Sequence, residues 1–323
     1  MLFVVFIAAV AVSWIAFMTA MPGRSYRESL PPLSPQELES AANLKKHVVY
    51  LAGTIGERNV IAYQALERTR QYIEDFLSRE GYQVRSQEYV VQMKKVRNLI
   101  VEISGASRPN EIVVIGAHYD TVYDCPGADD NSSGVAALLE LARLFKSTRP
   151  SRTLRFVAFV NEEPPWFQTG DMGSLVYARQ ARKLNENIVA AVSLETIGWY
   201  SDKQGSQQYP LGFGLLYPSK GDFITFIGNV SSRHLVRQAV GAFRETTKFP
   251  SEGAAVPTAI PGIGWSDHWS FWNQGYPAIM VTDTAPFRNP NYHMPDDKPE
   301  TLDYEKMGRV VRGLEKVVGK LGR

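Results

Sequence analysis

The chain has a single cysteine, Cys125, among 323 residues. One thiol excludes an intramolecular disulfide and every thiolate-rich zinc site, and Cys125 reads as a packing residue. No Lys/Arg-rich run occurs and the formal charge is +2, so the electrostatic footprint of a nucleic-acid binder is missing. No internal repeat is visible. Apolar residues make up 44% and charged ones 21%, which is the balance of a globular domain with a full core.

Charge is also missing locally. From Leu2 to Met21 the run LFVVFIAAVAVSWIAFMTAM holds no charged residue, and it is about long enough to cross a bilayer as a helix. It lacks the basic start and short apolar core of a cleavable signal. The expectation is a membrane anchor over residues 2–21 carrying an extracytoplasmic domain, with secretion after signal cleavage as the alternative. Arg24, Arg27, Lys45 and Lys46 follow the span and favour the opposite orientation, although large domains translocate despite such charges. The expected division is an anchor or uncleaved signal (1–22), a Pro/Ser-rich linker (23–34) and one catalytic domain (35–323). Oligomeric state has no signal in the sequence.

Ser34-Pro35 followed by Glu37 is a helix start, with Ser34 as N-cap and Pro35 in the first turn. Helical periodicity covers 35–52, 60–80, 133–147, 174–186, 233–247 and 302–321. Segments 83–92 and 97–104 read as strands, the first at an edge because polar residues interleave it. The runs 111–117, 154–160, 189–194 and 277–282 are nearly continuous Val, Ile, Ala and Phe, as in strands of a mostly parallel sheet buried on both faces. Alternating strands and helices imply a layered α/β domain. Residues 199–232 and 249–265 look like excursions that shape a pocket.

Acids and histidines recur where those strands end, which is where open α/β sheets bind ligands. His118 follows EIVVIGA with Asp120 two residues on, and a carboxylate so placed can fix an imidazole's tautomer. His47 and His234 have no acidic motif nearby and read as structural or surface residues. Asp129 and Asp130 open a run of five short polar side chains, more than a helix cap needs; a carboxylate there can bridge two metal ions. Glu162 and Glu163 follow LRFVAFVN, and adjacent acids at a strand end repel unless a cation compensates. Glu195 follows VAAVSL, and His293 lies in NYHMPDD. Oxygen and imidazole donors without thiolate suit a catalytic zinc pair or a similar divalent metal.

The ordered set GAHYDTV, PGADDNSSG, FVNEE, SLETIG, SDHWSFW and YHMPDD resembles the di-zinc aminopeptidases of metallopeptidase family twenty-eight. Leucyl-type aminopeptidases, glutamate carboxypeptidases and glutaminyl cyclases are its relatives. The resemblance implies a three-layer α/β/α fold with a mixed, mostly parallel central sheet. It implies two Zn²⁺ per chain, one held by His118, Asp130 and Glu195, the other by Glu163, His293 and the shared Asp130. Glu162 is then the general base and acid, Asp120 the partner of His118, and Tyr292 an oxyanion-stabilising phenol or an interfacial packing residue. Asp129, Asp267 and His268 are expected to support the shell or touch substrate, and the bond after Asp130 is expected to be cis. Two departures stand out. The family more often has Asp where this chain has Glu195, and the PPWFQTGDMGS loop after Glu163 is long, with Trp166 and Phe167 either walling the pocket or forming a local cluster.

The implied activity is hydrolysis of an N-terminal peptide bond in peptides with a free amine. Glutaminyl cyclisation fits less well, because such cyclases have Trp where this chain has Tyr292 and lack the ligand at His118. A carboxypeptidase needs cations to grip a carboxylate, for which Arg288 is one candidate. A non-catalytic module on the same fold is the remaining alternative. Ser266-Asp267-His268 is not a Ser-His-Asp triad, since consecutive residues at a helix start cannot meet as a triad does.

Overall fold

The computed structural model describes residues 10, 13–210 and 212–323. Helix α1 (Pro35–Val48) begins at a complete capping box, with the Ser34 hydroxyl and the Glu37 carboxylate each serving the other's backbone amide, as the sequence predicts. Helix α2 (Tyr63–Arg79) follows. Eight strands then form one sheet: β1 (Arg85–Val91), β2 (Lys94–Ile103), β3 (Arg108–His118), β4 (Arg152–Phe159), β5 (Asn187–Leu194), β6 (Ile224–Gly228), β7 (Ser251–Ala255) and β8 (Ala278–Thr282). Their spatial order is β1-β2-β4-β3-β5-β8-β6-β7. The central β4, β3, β5 and β8 are parallel. Antiparallel pairings join β1 to β2, β2 to β4 and β6 to β8, so the sheet is mixed with a parallel centre and β1 lies at an edge.

Helices α3 (Gly134–Phe145), α4 (Gly173–Lys183), α5 (Arg233–Thr246), α6 (His268–Asn273) and α7 (Tyr304–Leu321) complete the layers. Alternate residues of β3 face opposite cores: Val113, Ile115 and Ala117 pack with α3 and α7, while Ile112 and Val114 pack with α4 and α6. That two-sided burial is why the run read as nearly continuous apolar sequence. The two segments expected to be excursions contain β6 and β7. SEGAA in β7 has no apolar run to announce it, and its strand state comes from pairing with β6.

The membrane anchor expected over residues 2–21 is corrected. Among the described residues no helix is long and apolar enough to cross a membrane; residues 2–9, 11 and 12 of the expected span lie outside the described residues. The described end of the segment lies on the domain instead. Met18 is buried with Ile227, Ala254, Val256 and Met280. Arg233 donates to the Phe17 carbonyl at 2.6 Å and covers the Phe17 ring. Residues 22–27 are also bound: Pro22 rests on Gly241, Ser25 accepts the Ser251 amide at 2.9 Å and Arg27 pairs with Glu252 at 2.8 Å. Met18 thus serves packing beside the edge of the sheet, and Ser25 meets an amide of the edge strand β7. Met18→Ala is expected to destabilise the protein by about 2 kcal/mol, read as a lower urea midpoint. An unchanged midpoint would show that this contact contributes nothing.

Candidate metal centre

Three neighbouring parallel strands deliver most of the site. Strand β3 ends at His118, β4 runs out through Asn161 to Glu162 and Glu163, and β5 is followed by Glu195. Strands in a sheet are about 4.8 Å apart, so side chains at successive strand ends reach one another. The chain passes from β3 to β4 on one side and then crosses to β5 on the other, which opens a crevice at the carboxyl ends of the strands. Asp130 comes from the turn before α3, and His293 from the loop after β8.

The geometry divides around Asp130. Its Oδ1 lies 3.2 Å from His118 Nε2, and the same nitrogen is 3.2 Å from Glu195 Oε2. Its Oδ2 lies 3.0 Å from His293 Nε2, which is 3.3 Å from Glu163 Oε2. The trios His118–Asp130–Glu195 and Asp130–Glu163–His293 are each compact enough to surround an ion. Glu162 Oε2 stands 4.0 Å from His118 Nε2, so a third grouping, His118–Glu162–Glu163, is also close. The peptide bond between Asp130 and Asn131 is cis.

The donors are buried, His293 only partly, and several have nothing to bond. Both ring nitrogens of His118, Asp130 Oδ1, Glu163 Oε1 and His293 Nε2 have no hydrogen-bond partner. Orphaned polar atoms at such depth are costly, and here they converge on two points lined by oxygen and imidazole. Four carboxylates against two imidazoles need cationic compensation, and the donor set fits zinc.

The electrostatics of the side chains alone express the same demand. Burial and the surrounding carboxylates Glu195, Glu163 and Asp267 push Glu162 well above the usual carboxylate range, although His118 opposes them. Burial and Asp130 raise Glu163 to about 8 against the pull of His293. Burial and Asp130 also raise Glu195, with His118 opposing. Burial disfavours charge on Asp130 too, yet the two imidazoles outweigh it and hold that carboxyl below its ordinary value. Burial works against protonating the imidazoles, but Glu195, Asp120 and Asp130 raise His118 well above its ordinary value, and Asp130 and Glu163 raise His293 to about 10.

The other residues singled out in the sequence fall into distinct places. Asp120 accepts the backbone amides of Glu162 and Glu163, both at 3.1 Å, and so pins the acid pair; it faces His118 Nδ1 at 3.6 Å, beyond hydrogen-bond reach. Asp129 points away from the trios, accepting from Gly198 N at 3.0 Å and Asn289 Nδ2 at 2.8 Å. Ser266 donates to Glu195 Oε2 at 2.7 Å, while the buried Asp267 carboxylate has no partner and is raised to about 7 mainly by burial. His268 binds the Ile263 carbonyl at 2.7 Å and packs edge-on against Trp272. Tyr292 stacks on His293 at 3.9 Å. Cys125 is buried, its thiol on the Met294 carbonyl. His47 is buried against Tyr72 and Phe76, and His234 is exposed.

Beside Glu195 and Tyr292 opens a pocket walled by Phe213, Tyr217, Phe223, Ile227, Trp265 and Met280. Trp166 and Phe167 do not line it; Trp166 packs on the main core. Arg288 is buried and engaged by Gln207, Thr284 and the Gly221 and Phe223 carbonyls, with only Nη2 unpartnered. Two residues that carry the Asp130 turn were not found from the sequence: Arg58, buried with no motif around it, and Asp297, for which the second acid of YHMPDD was the only available signal.

The description "Peptidase family M28" matches residues 98–318 of the chain. An Escherichia coli protein described as uncharacterized protein YfbL is 38% identical over 292 residues, covering 88% of each chain. A probable leucine aminopeptidase of Trichophyton verrucosum is 27% identical, covering 73% of this chain and 60% of that one. Among solved structures, the zinc aminopeptidase BSAP of Bacillus subtilis superposes with a TM-score of 0.69 at 15% identity, covering 86% of this chain and 94% of that one. A Tannerella forsythia glutaminyl cyclase superposes with a TM-score of 0.62 at 21% identity, covering 86% and 97%. These likenesses show the shared fold, and the family match with the convergent donors places the chain in peptidase family M28, as a metalloexopeptidase and hydrolase.

Proposed function

We propose that the chain is an aminopeptidase that holds two zinc ions and hydrolyses the N-terminal peptide bond of peptides with a free amine. The observation that carries this reading is the division of Asp130, whose two oxygens face two separate trios of donors. His118, Asp130 and Glu195 would hold one ion; Asp130, Glu163 and His293 the other. Zinc there supplies polarisation of the scissile carbonyl and acidifies the attacking water.

The protein's own groups do the rest. Glu162 stands beside the trios and takes the proton of the attacking water, then gives it to the leaving amine. Asp120 keeps Glu162 and Glu163 in register through their backbone amides. Tyr292 lines the pocket and its ring stacks on His293, where its phenol would donate to a developing oxyanion. The aromatic walls exclude water and take an apolar N-terminal side chain.

The test is a panel of aminoacyl anilides and their N-acetylated forms, run with chelator and again after zinc is restored. Cleavage of free-amine substrates alone, lost with chelator and regained with zinc, is the expected result. The named cyclase structure keeps a second reading in view, since its fold is shared. Ammonia release from a Gln-peptide without cleavage would establish it and displace the first.

A further inference from the structure

The turn that carries Asp130 is held by two buried groups of opposite charge, neither of which faces the trios. Arg58 uses every one of its N–H groups. Nε donates to the Tyr119 carbonyl at 2.8 Å, Nη1 to the carbonyls of Pro126 at 2.6 Å and Gly56 at 3.1 Å, and Nη2 to the Gly127 carbonyl at 2.9 Å and Ser132 Oγ at 2.7 Å. Asp297 takes the amides of the same turn. Ala128 N donates to its backbone carbonyl at 3.1 Å, Asp129 N to its Oδ1 and Oδ2 at 2.9 and 3.1 Å, and Asp130 N to its Oδ2 at 3.0 Å. Both residues are 0% exposed.

The match is chemical as well as spatial. A guanidinium only donates and a carboxylate only accepts, so the cation takes the carbonyls and the anion takes the amides of one irregular stretch. Charge-assisted bonds of this kind are the strong ones. The packing is tight enough that Gly127, at φ +61, is required: a Cβ there would sit 2.3 Å from the Asp130 carbonyl and 3.2 Å from Arg58 Nη2. Asp297 also lies four residues after His293, so its bonds tie the loop of one donor to the turn of the shared one.

We propose that Arg58 and Asp297 form a clamp that positions the Asp130 carboxylate between its two trios and thereby sets the zinc affinity of the centre. The proposal rests on the metal-centre reading above. Lysine in place of Arg58 keeps the charge but has three N–H groups on a single point, and it cannot span five acceptors. Loss of such supporting bonds typically costs about 10–100-fold in metal affinity or activity.

The experiment is zinc competition against a chromogenic chelator, with a urea midpoint for each protein. Wild type is compared with Arg58→Lys, Asp297→Asn, the double variant, and Arg155→Lys. Arg155 is a buried arginine of β4 that pairs with Glu102, Glu186 and Tyr177 and serves as the purely structural control. Zinc affinity about 10–100-fold weaker in each clamp variant, unchanged in the control, is the expected result. The double variant should lose less than the product of the singles, because the two residues act on one turn. Clamp variants that bind zinc as tightly as wild type, or lose no more than the control at equal loss of stability, overturn the clamp. A wild-type protein that takes up no zinc overturns the metal-centre reading itself.

Discussion

Replacing Glu162 with Gln is expected to lower kcat by roughly 10²–10⁴-fold while zinc stays bound. That is about 2.7–5.5 kcal/mol of activation free energy, and it removes proton transfer without removing bulk. Glutamine keeps the shape and burial of the side chain, and the amide bond to Asp120 comes from the backbone, so it survives the change. The trios do not need Glu162, which is why metal content should hold and KM should move little. A second readout separates this from a folding defect. In the metal-free protein burial and the neighbouring acids disfavour charge on Glu162. A neutral amide relieves that crowding above the ordinary carboxylate range, so the metal-free variant should melt higher than metal-free wild type at pH 7. A variant within tenfold of wild-type turnover would remove Glu162 from the mechanism.

Chelation is expected to abolish hydrolysis and to lower the melting temperature by roughly 6 °C or more, both restored by zinc. Zinc at a thousandfold its dissociation constant adds about 4.1 kcal/mol for one site, and a chain of this size gains about 1.5 °C per kcal/mol. The stability effect should grow with pH. Glu163 is raised from 4.5 to about 8 and His293 from 6.5 to about 10 in the metal-free protein. Between the unfolded and folded values the native state therefore binds more protons than the unfolded chain, and stability is lost as pH rises through that window. Asp130 is shifted the other way, and its contribution disappears only in strong acid, below its ordinary 3.8. Zinc replaces those protons, so the gap between zinc-loaded and metal-free melting temperatures should widen from pH 5.5 to pH 8. A gap that stays constant over that range would mean that bound protons and metal do not compete.

Much of the centre was legible in the chain because of where the charge falls. His118, Glu162, Glu163 and Glu195 each stand directly beyond an apolar run, and a run buried on both faces of a parallel sheet has only its end free to carry a ligand. The Ser34–Glu37 capping box was equally readable, since it needs only a fixed spacing of three. The supports were not. Asp120 faces His118 Nδ1, but no spacing showed that its oxygens also accept the amides of Glu162 and Glu163, a contact across neighbouring strands. Arg58 is about seventy residues from the turn it holds, and Asp297 about 170 from the amides it accepts; which carbonyls and amides point inward is a property of the turn's backbone, not of its residue types.

The N-terminal segment shows the same boundary from the other side. Its hydropathy is real and describes how strongly the run avoids water, but not which apolar surface receives it. Met18 meets Ile227, Ala254, Val256 and Met280, a surface that exists only once β6, β7 and β8 have paired. Strand β7 itself is decided by its neighbour rather than by SEGAA. The sequence by itself determined the layered α/β class, the strand ends and the donor types, because periodicity and burial are local. Only the tertiary structure decided how the two oxygens of Asp130 divide between the trios, what holds that turn and where the described end of the N-terminal segment lies, because those depend on groups brought together from distant parts of the chain.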